Sequence, residues 1–211
     1  METGVGPQNA DCAIRKIAVE RQIGGLIHIG FAGALAPSLH LGDLVLLESV
    51  ENAQNSQSIL TDSAKRVASA IPDEIPWHSG VCLTFDHIIA TAGEKHAIAK
   101  GRPEGEITCV DMESAPVAAF CQEQSMPYIG IRAITDTLGE DLPLNLNECR
   151  GRDGNIDTMR VMWAAVHHPS AISGLVELRR RSKDCAQALA TCVKRILSQY
   201  PTPGLYSGTL P

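Results

Sequence analysis

The chain has 211 residues, of which 44% are hydrophobic, 20% charged and only 4% aromatic, the composition of one globular domain rather than two large ones. Eighteen Lys and Arg against 24 Asp and Glu leave a formal charge of -6, and no basic run extends beyond Arg179-Arg180-Arg181, which excludes an electrostatic footprint for nucleic acid. Apolar runs fall far short of the roughly 20 residues of a membrane helix, and the N-terminus lacks the charged-then-apolar layout of a signal peptide, so a cytoplasmic chain without a membrane span is expected. The seven cysteines, at 12, 82, 109, 121, 149, 185 and 192, form no CxxC pair and keep no metal-ligand spacing with histidines. Reduced, buried thiols are expected, not a zinc site or a disulfide framework.

In chain order, Ala10, Ala13, Ile14, Ile17 and Ala18 recur at helical spacing, and Gly24-Gly25 ends that helix. Leu26-Ile27-His28-Ile29-Gly30 reads as a buried strand, with Gly30 to Leu35 as its turn. A second strand runs from Asp43 to Glu48. Residues 51–76 are polar apart from a short helical pattern from Ser63 to Ala70. Further strands are expected over Gly80–Thr84, Ile107–Val110 and Tyr128–Ile134, with a helix from Glu113 to Gln124 whose Pro116 is tolerated in the first turn. Residues 137–155 read as loop, and helical periodicity returns over Ile156–Val166 and Ser170–Leu197. Strands alternating with helices predict an α/β fold, a three-layer sandwich on a mixed, largely parallel sheet; residues 1–200 form the domain and 201–211 a flexible tail.

Ligands of open α/β sheets gather at the carboxyl ends of strands, so four such ends are candidates for chemistry. Gly30-Phe31-Ala32-Gly33 removes side chains where a ligand could approach the backbone, or serves only as a tight turn. In Asp111-Met112-Glu113, Glu113 either favours the positive end of a helix dipole or accepts hydrogen bonds from sugar hydroxyls while Met112 packs on a ring face. Asp136, after Arg132-Ala133-Ile134-Thr135, is a turn former, or a group that protonates a leaving group when neutral and steers a bridging water when ionised. In Thr84-Phe85-Asp86-His87-Ile88, His87 is more ordinarily a surface histidine than a catalyst.

Taken together these segments resemble the purine nucleoside phosphorylase and uridine phosphorylase superfamily, particularly its methylthioadenosine and adenosylhomocysteine nucleosidase branch. Thr3-Gly4-Val5-Gly6 is similar to the family's Gly-x-Gly turn, and Ile29 to Leu35 followed by Gly42-Asp43-Leu44-Val45 to its glycine turn and "GD(I/L)V" strand. Asp111-Met112-Glu113 is similar to its "(E/D)ME" motif, and Arg132 to Asp136 to its "R-x-(I/V)-(S/T)-D" strand end. Order and spacing agree from the N-terminus to about residue 140. Leu142-Pro143, Asp153 to Asp157 and His168-Pro169-Ser170 also resemble the hopanoid-associated phosphorylase branch, whose implied substrate is adenosylhopane.

The resemblance implies cleavage of the N-glycosidic bond of a purine nucleoside by water or inorganic phosphate, in a homo-oligomer without metal or organic cofactor. It implies that Asp136 assists protonation of the purine at N7, that Glu113 holds ribose hydroxyls and that Met112 lines the sugar. Ala32 and Gly33 would face the nucleophile, with Phe31 and Thr135 beside the site. Val5 would lie near the sugar, and Ile88 and Asp111 would border the base or ribose. Two departures stand out. The family carries strands before the Gly-x-Gly turn, so an N-terminally shortened sheet with an exposed edge is expected here. Phe31 stands where many relatives have a small hydroxyl residue, which removes a donor for an anion. Two alternatives are a catalytically inactive nucleoside-binding module and a thiol-based redox protein, the latter requiring an exposed, reactive cysteine.

Overall fold

The structure, a computed structural model, describes residues 6–144, 146–149, 151 and 171–199. Helix α1 (Pro7–Glu20) leads to β1 (Leu26–Ala34), β2 (Leu44–Asn52) and β3 (Gln57–Leu60). The short helix α2 (Ser63–Val67) runs into a single 3-10 turn at Ala68–Ala70 and then β4 (Trp77–Thr84). Helix α3 (Ala92–Ala99), β5 (Thr108–Asp111), α4 (Ser114–Glu123), β6 (Tyr128–Asp136) and α5 (Ala171–Gln199) complete the order. The expected helix over 156–166, the tail 201–211 and the Thr3-Gly4-Val5 segment lie outside the described residues.

The sheet is mixed, in the order β3-β2-β4-β5-β1-β6, and an antiparallel pairing of β2 with β6 joins its two sides into a ring. β2 makes this possible by sharing its length: Leu44–Leu46 face β6 on one edge, Ser49–Asn52 face β3 on that same edge, and β4 runs parallel along the other. Both faces of β2 are apolar because both are covered, which is why it reads as a continuous hydrophobic run. Val45, Leu47 and Val50 enter one core with Ala10 and Ile14 of α1 and Val117, Ala118 and Phe120 of α4. Leu44 and Leu46 enter the other, with Val67 of α2 and Cys185, Leu189, Cys192 and Ile196 of α5. That spacing of four, three and four is one stripe of a helix. The fold is therefore mixed α/β with helices on both faces of a central sheet, as the sequence predicts.

Three differences from the sequence reading have physical causes. The glycine segment after Ile29 is no turn: β1 continues through Gly33 to Ala34, pairing with β6 from Leu26 to Gly33. β3 reads as polar because three of its four residues, Gln57, Ser58 and Leu60, are exposed and only Ile59 is buried. α3 lacks an apolar stripe, since its one buried residue is Lys95. Its signal is instead the capping box: the Thr91 hydroxyl accepts from the Glu94 N–H at 3.2 Å, while the Glu94 carboxylate accepts from the Thr91 N–H at 3.0 Å.

Candidate functional site

β6 ends in an irregularity: opposite it, Ala32 pairs with Ile134 but Gly33 pairs with Asp136, so Thr135 is the extra residue of a bulge. A bulge re-aims side chains, and here Thr135 and Asp136 both line one cavity of about 290 Å³. β1 supplies Phe31, Ala32 and Gly33 to it, the β5–α4 junction supplies Asp111, Met112 and Glu113, and the loop after β4 supplies His87, Ile88 and Ile89. Leu142, Leu146 and, from α5, Leu178 and Ser182 complete the wall. Every described residue to which the resemblance gives a place at the site thus reaches the same cavity; Val5 lies outside the described residues. A second cavity of about 560 Å³ adjoins it at Asp136, Leu142 and Leu178.

Asp136 is buried, and its two oxygens are separately engaged. Oδ1 accepts from the Thr135 hydroxyl at 3.0 Å, and Oδ2 from Lys95 Nζ at 2.5 Å. Lys95 is fully buried and also donates to the carbonyls of Thr137 (2.9 Å) and Glu140 (2.8 Å). The sequence reading did not single out this lysine, for it lies 41 residues from Asp136 in a helix with no apolar pattern. Gly33 fits against this pair for a reason unrelated to turns: a Cβ there would stand 2.8 Å from Asp136 Oδ2.

The acidic residues around Met112 divide their work. Asp111 is buried in an ion pair with Arg132, whose Nε donates to Oδ2 at 2.8 Å. Asp111 also accepts the Thr84 hydroxyl at 2.8 Å and the Ser114 N–H at 3.1 Å, while Ala115 N–H donates to Thr84 Oγ1 at 3.0 Å. The orphan donors that open α4 are therefore met by Asp111 and Thr84. Burial opposes ionisation of Asp111, but Arg132 and these hydrogen bonds prevail and hold its carboxyl below the usual range. Asp111 borders the cavity as a structural group, with its carboxylate already occupied.

Glu113, by contrast, gives α4 no capping hydrogen bond although it stands at the N-cap. Its Oε1 accepts the N–H of Gly6, the N-cap of α1, at 2.8 Å. Gly6 holds a φ of 101°, a conformation that favours glycine. Burial, and then the negative Asp111, push the Glu113 carboxyl up from its ordinary value. His87 is exposed and paired with Asp86 at 2.7 Å, and Ile88 exchanges two backbone hydrogen bonds with the Asn147 amide at 2.8 and 2.7 Å. His28 lies on the far side of Arg132, with a ring nitrogen 3.1 Å from the guanidinium, and burial followed by Arg132 pushes it down to about 3.

A cavity at strand ends, apolar in most of its wall and lined by three carboxylates with different surroundings, defines an α/β protein built around a small-molecule site. The family model described as Phosphorylase superfamily matches residues 1–165, and the chain belongs to that superfamily. It is 25% identical over 152 residues to the 5'-methylthioadenosine/S-adenosylhomocysteine nucleosidase of Baumannia cicadellinicola subsp. Homalodisca coagulata, covering 64% of this chain and 66% of that protein. The chain thus spans about two thirds of the length of that curated relative. Among solved structures it is similar to the 5'-methylthioadenosine/S-adenosylhomocysteine nucleosidase of Neisseria meningitidis bound to methylthio-immucillin-A, with a TM-score of 0.67, 20% identity and coverage of 93% of this chain and 79% of that one. It is equally similar to futalosine hydrolase of Helicobacter pylori, with a TM-score of 0.67, 17% identity and coverage of 93% and 77%. Both likenesses are likenesses of fold. No helix among the described residues is long and apolar enough to cross a membrane.

Proposed function

We propose that the protein cleaves the N-glycosidic bond of an adenine nucleoside and releases the base, with water as the nucleophile. The observation that carries this reading is the meeting of Asp136 and Glu113 on one cavity, the first beside a cation and the second in no ion pair among the described residues. The names of the curated relatives, which are nucleosidases, support the same chemistry. Breaking the bond sends its electron pair into the purine and leaves positive charge on the sugar, so catalysis needs help for the leaving base and negative charge near the sugar. In this reading Asp136 faces N7 of the base and Glu113 accepts hydrogen bonds from ribose hydroxyls, with Met112 against the sugar. Phe31 and Ile88 form apolar walls, and Ala32 and Gly33 lie towards the nucleophile. Water is favoured over phosphate because no lysine or arginine is among the described residues lining this cavity. The reaction so written requires no metal or organic cofactor, because side chains supply the proton handling and the charge. A cytoplasmic homo-oligomer is part of the same proposal, tested by sedimentation.

The experiment is adenine release from adenosine, methylthioadenosine, adenosylhomocysteine and an adenosylhopane mimic, each with and without phosphate. The preferred substrate fixes the 5′ substituent, on which the resemblance of residues 142–170 to the hopanoid branch bears. Phosphate-independent release is expected. Asp136→Asn should lower it by about 10²-fold or more in a folded protein, and Glu113→Gln should raise KM and lower kcat together. Nucleoside binding without turnover of any substrate would replace this reading with that of a binding module.

A further inference from the structure

We infer that Lys95 is a positioning residue that presents Asp136 to the leaving base as a carboxylate. The inference rests on the reading of Asp136 given above and resolves which of its two forms, acid or anion, is built into the fold. A buried ammonium is tolerated only when paired and hydrogen-bonded. Lys95 meets both conditions, for its side chain is 0% exposed and three acceptors surround Nζ: Asp136 Oδ2 at 2.5 Å, Glu140 O at 2.8 Å and Thr137 O at 2.9 Å. Three acceptors match the three donors of an ammonium, whereas a neutral amine has two. On the other side the Thr135 hydroxyl has two acceptors in reach, Asp136 Oδ1 at 3.0 Å and the Ala32 carbonyl at 3.4 Å, and the carboxylate oxygen is the nearer. Hydrogen bonds to the charged form are the interactions that maintain it.

The lysine is itself held. The N-terminus of α3 is closed by the Thr91–Glu94 capping box, and the Ala92 N–H donates to Asp141 Oδ1 at 2.6 Å. The segment that follows Asp136 therefore wraps the helix that carries Lys95 and is pinned to it at three places, Thr137, Glu140 and Asp141. The neighbouring charges do not compete for the pair. Glu140 gives its carboxylate to Arg181 at 2.6 Å, and Arg132 is committed to Asp111 at 2.8 Å. Glu113 faces the shared cavity from the start of α4 as a further negative group. Asp136 thus meets the purine as an acceptor. As the C1′–N9 bond breaks and both its electrons pass to the base, N7 takes a proton from solvent and its N–H donates to Asp136. The water that adds at C1′ releases one proton, so protons balance and Lys95 stays an ammonium throughout.

The test uses the full chain. With ¹³C-labelled aspartate, the Asp136 side-chain signal, assigned by its loss in Asp136→Asn, should lie at the carboxylate position near neutral pH in the unliganded wild type. It should move towards the protonated position in Lys95→Ala. That variant should lose about 10²-fold in kcat with KM within about threefold, and ethylammonium should restore at least about tenfold of it where ethanol restores none. Rescue should vanish in Lys95→Ala/Asp136→Asn. A protonated Asp136 in the wild type, an unmoved carbon signal, or equal rescue by ethanol would overturn the inference. If Lys95→Ala fails to fold, the wild-type carbon signal still decides, and Lys95→Met/Asp136→Asn, which removes both charges, should fold. A lysine-dependent carboxylate signal in a wild type that releases no base would refute the proposed function and leave the pairing intact.

Discussion

Gly33→Ala is the most discriminating small change the structure offers. The added Cβ would stand 2.8 Å from Asp136 Oδ2 and 3.3 Å from Val110 Cγ1. An ordinary C···O contact is about 3.3 Å or more, so something must move by about half an ångström. The oxygen that is crowded is the one Lys95 holds at 2.5 Å, and Lys95 is itself fixed by two carbonyls. The carboxylate therefore rotates away from its place in the cavity, because β1 is paired on both sides at this residue. A displacement of 1 Å can cost about 10²-fold in rate, so about half of that should lower kcat for adenine release by about tenfold, while overpacking costs about 1–3 kcal/mol of stability. Steady-state kinetics measure the first quantity and urea unfolding the second. Unchanged kcat in a variant destabilised as expected would show that the position of Asp136 is irrelevant to the reaction, and the assignment of the site would fall.

The remaining expectations concern the buried network, the pH response and the thiols. Arg132→Met leaves Asp111 buried without its cation, both side chains being 1% exposed in the wild type, and should cost about 3–5 kcal/mol in urea unfolding; Arg132→Met with Asp111→Asn should cost less than the sum of the single changes. His28 is held at about 3 against an ordinary 6.5, so the unfolded chain takes up a proton that the native one refuses between these values, and its contribution is complete above about pH 6.5 and lost as pH falls towards 3. Glu113, shifted the other way, opposes that loss above its ordinary 4.5, so urea titrations should show His28→Gln flattening and Glu113→Gln steepening the acid decline. Cys12 is exposed and the other six cysteines are buried, so a thiol reagent should label one group quickly in the native protein and the remaining six only on unfolding. The redox reading requires more of the exposed Cys12 than access, namely labelling faster than a free thiol at the same pH, and ordinary labelling rejects it.

The elements that the sequence discloses are those whose burial has a period. β2 and β6 are apolar on both faces and α5 carries a regular stripe, so their residue types follow from their surroundings. α3 and β3 escape that logic. α3 exists to bring one cation to one anion, and a single buried lysine leaves no periodic trace. The capping box at Thr91 and Glu94 was the available signal, being local and tied to helix starts. The site residues were legible as a set because they follow strand ends in order, yet their division of labour was not. Asp111 and Glu113 flank the same methionine, and which of them caps α4 depends on where Arg132 and Gly6 come to lie, 21 and 107 residues away along the chain. Composition alone cannot separate two carboxylates whose difference is the partner each meets in space.

That difference bears on how the cavity could favour a cationic sugar. Asp111 is matched by Arg132 and Asp136 by Lys95, so each pair is close to neutral as seen from the cavity. Glu113 accepts the Gly6 N–H and is in no ion pair among the described residues, and the combination of burial and Asp111 makes its negative charge costly, which is the meaning of its raised carboxyl. In the proposed reaction, positive charge that develops on the sugar relieves that cost, and does so more in the transition state than in the neutral bound nucleoside. An interaction that strengthens as charge develops lowers the barrier, whereas one made equally in both states only tightens binding. Under the proposed function the arrangement therefore assigns rate enhancement at the sugar to Glu113, which has no cationic partner among the described residues, and orientation of the base to Asp136, which has Lys95.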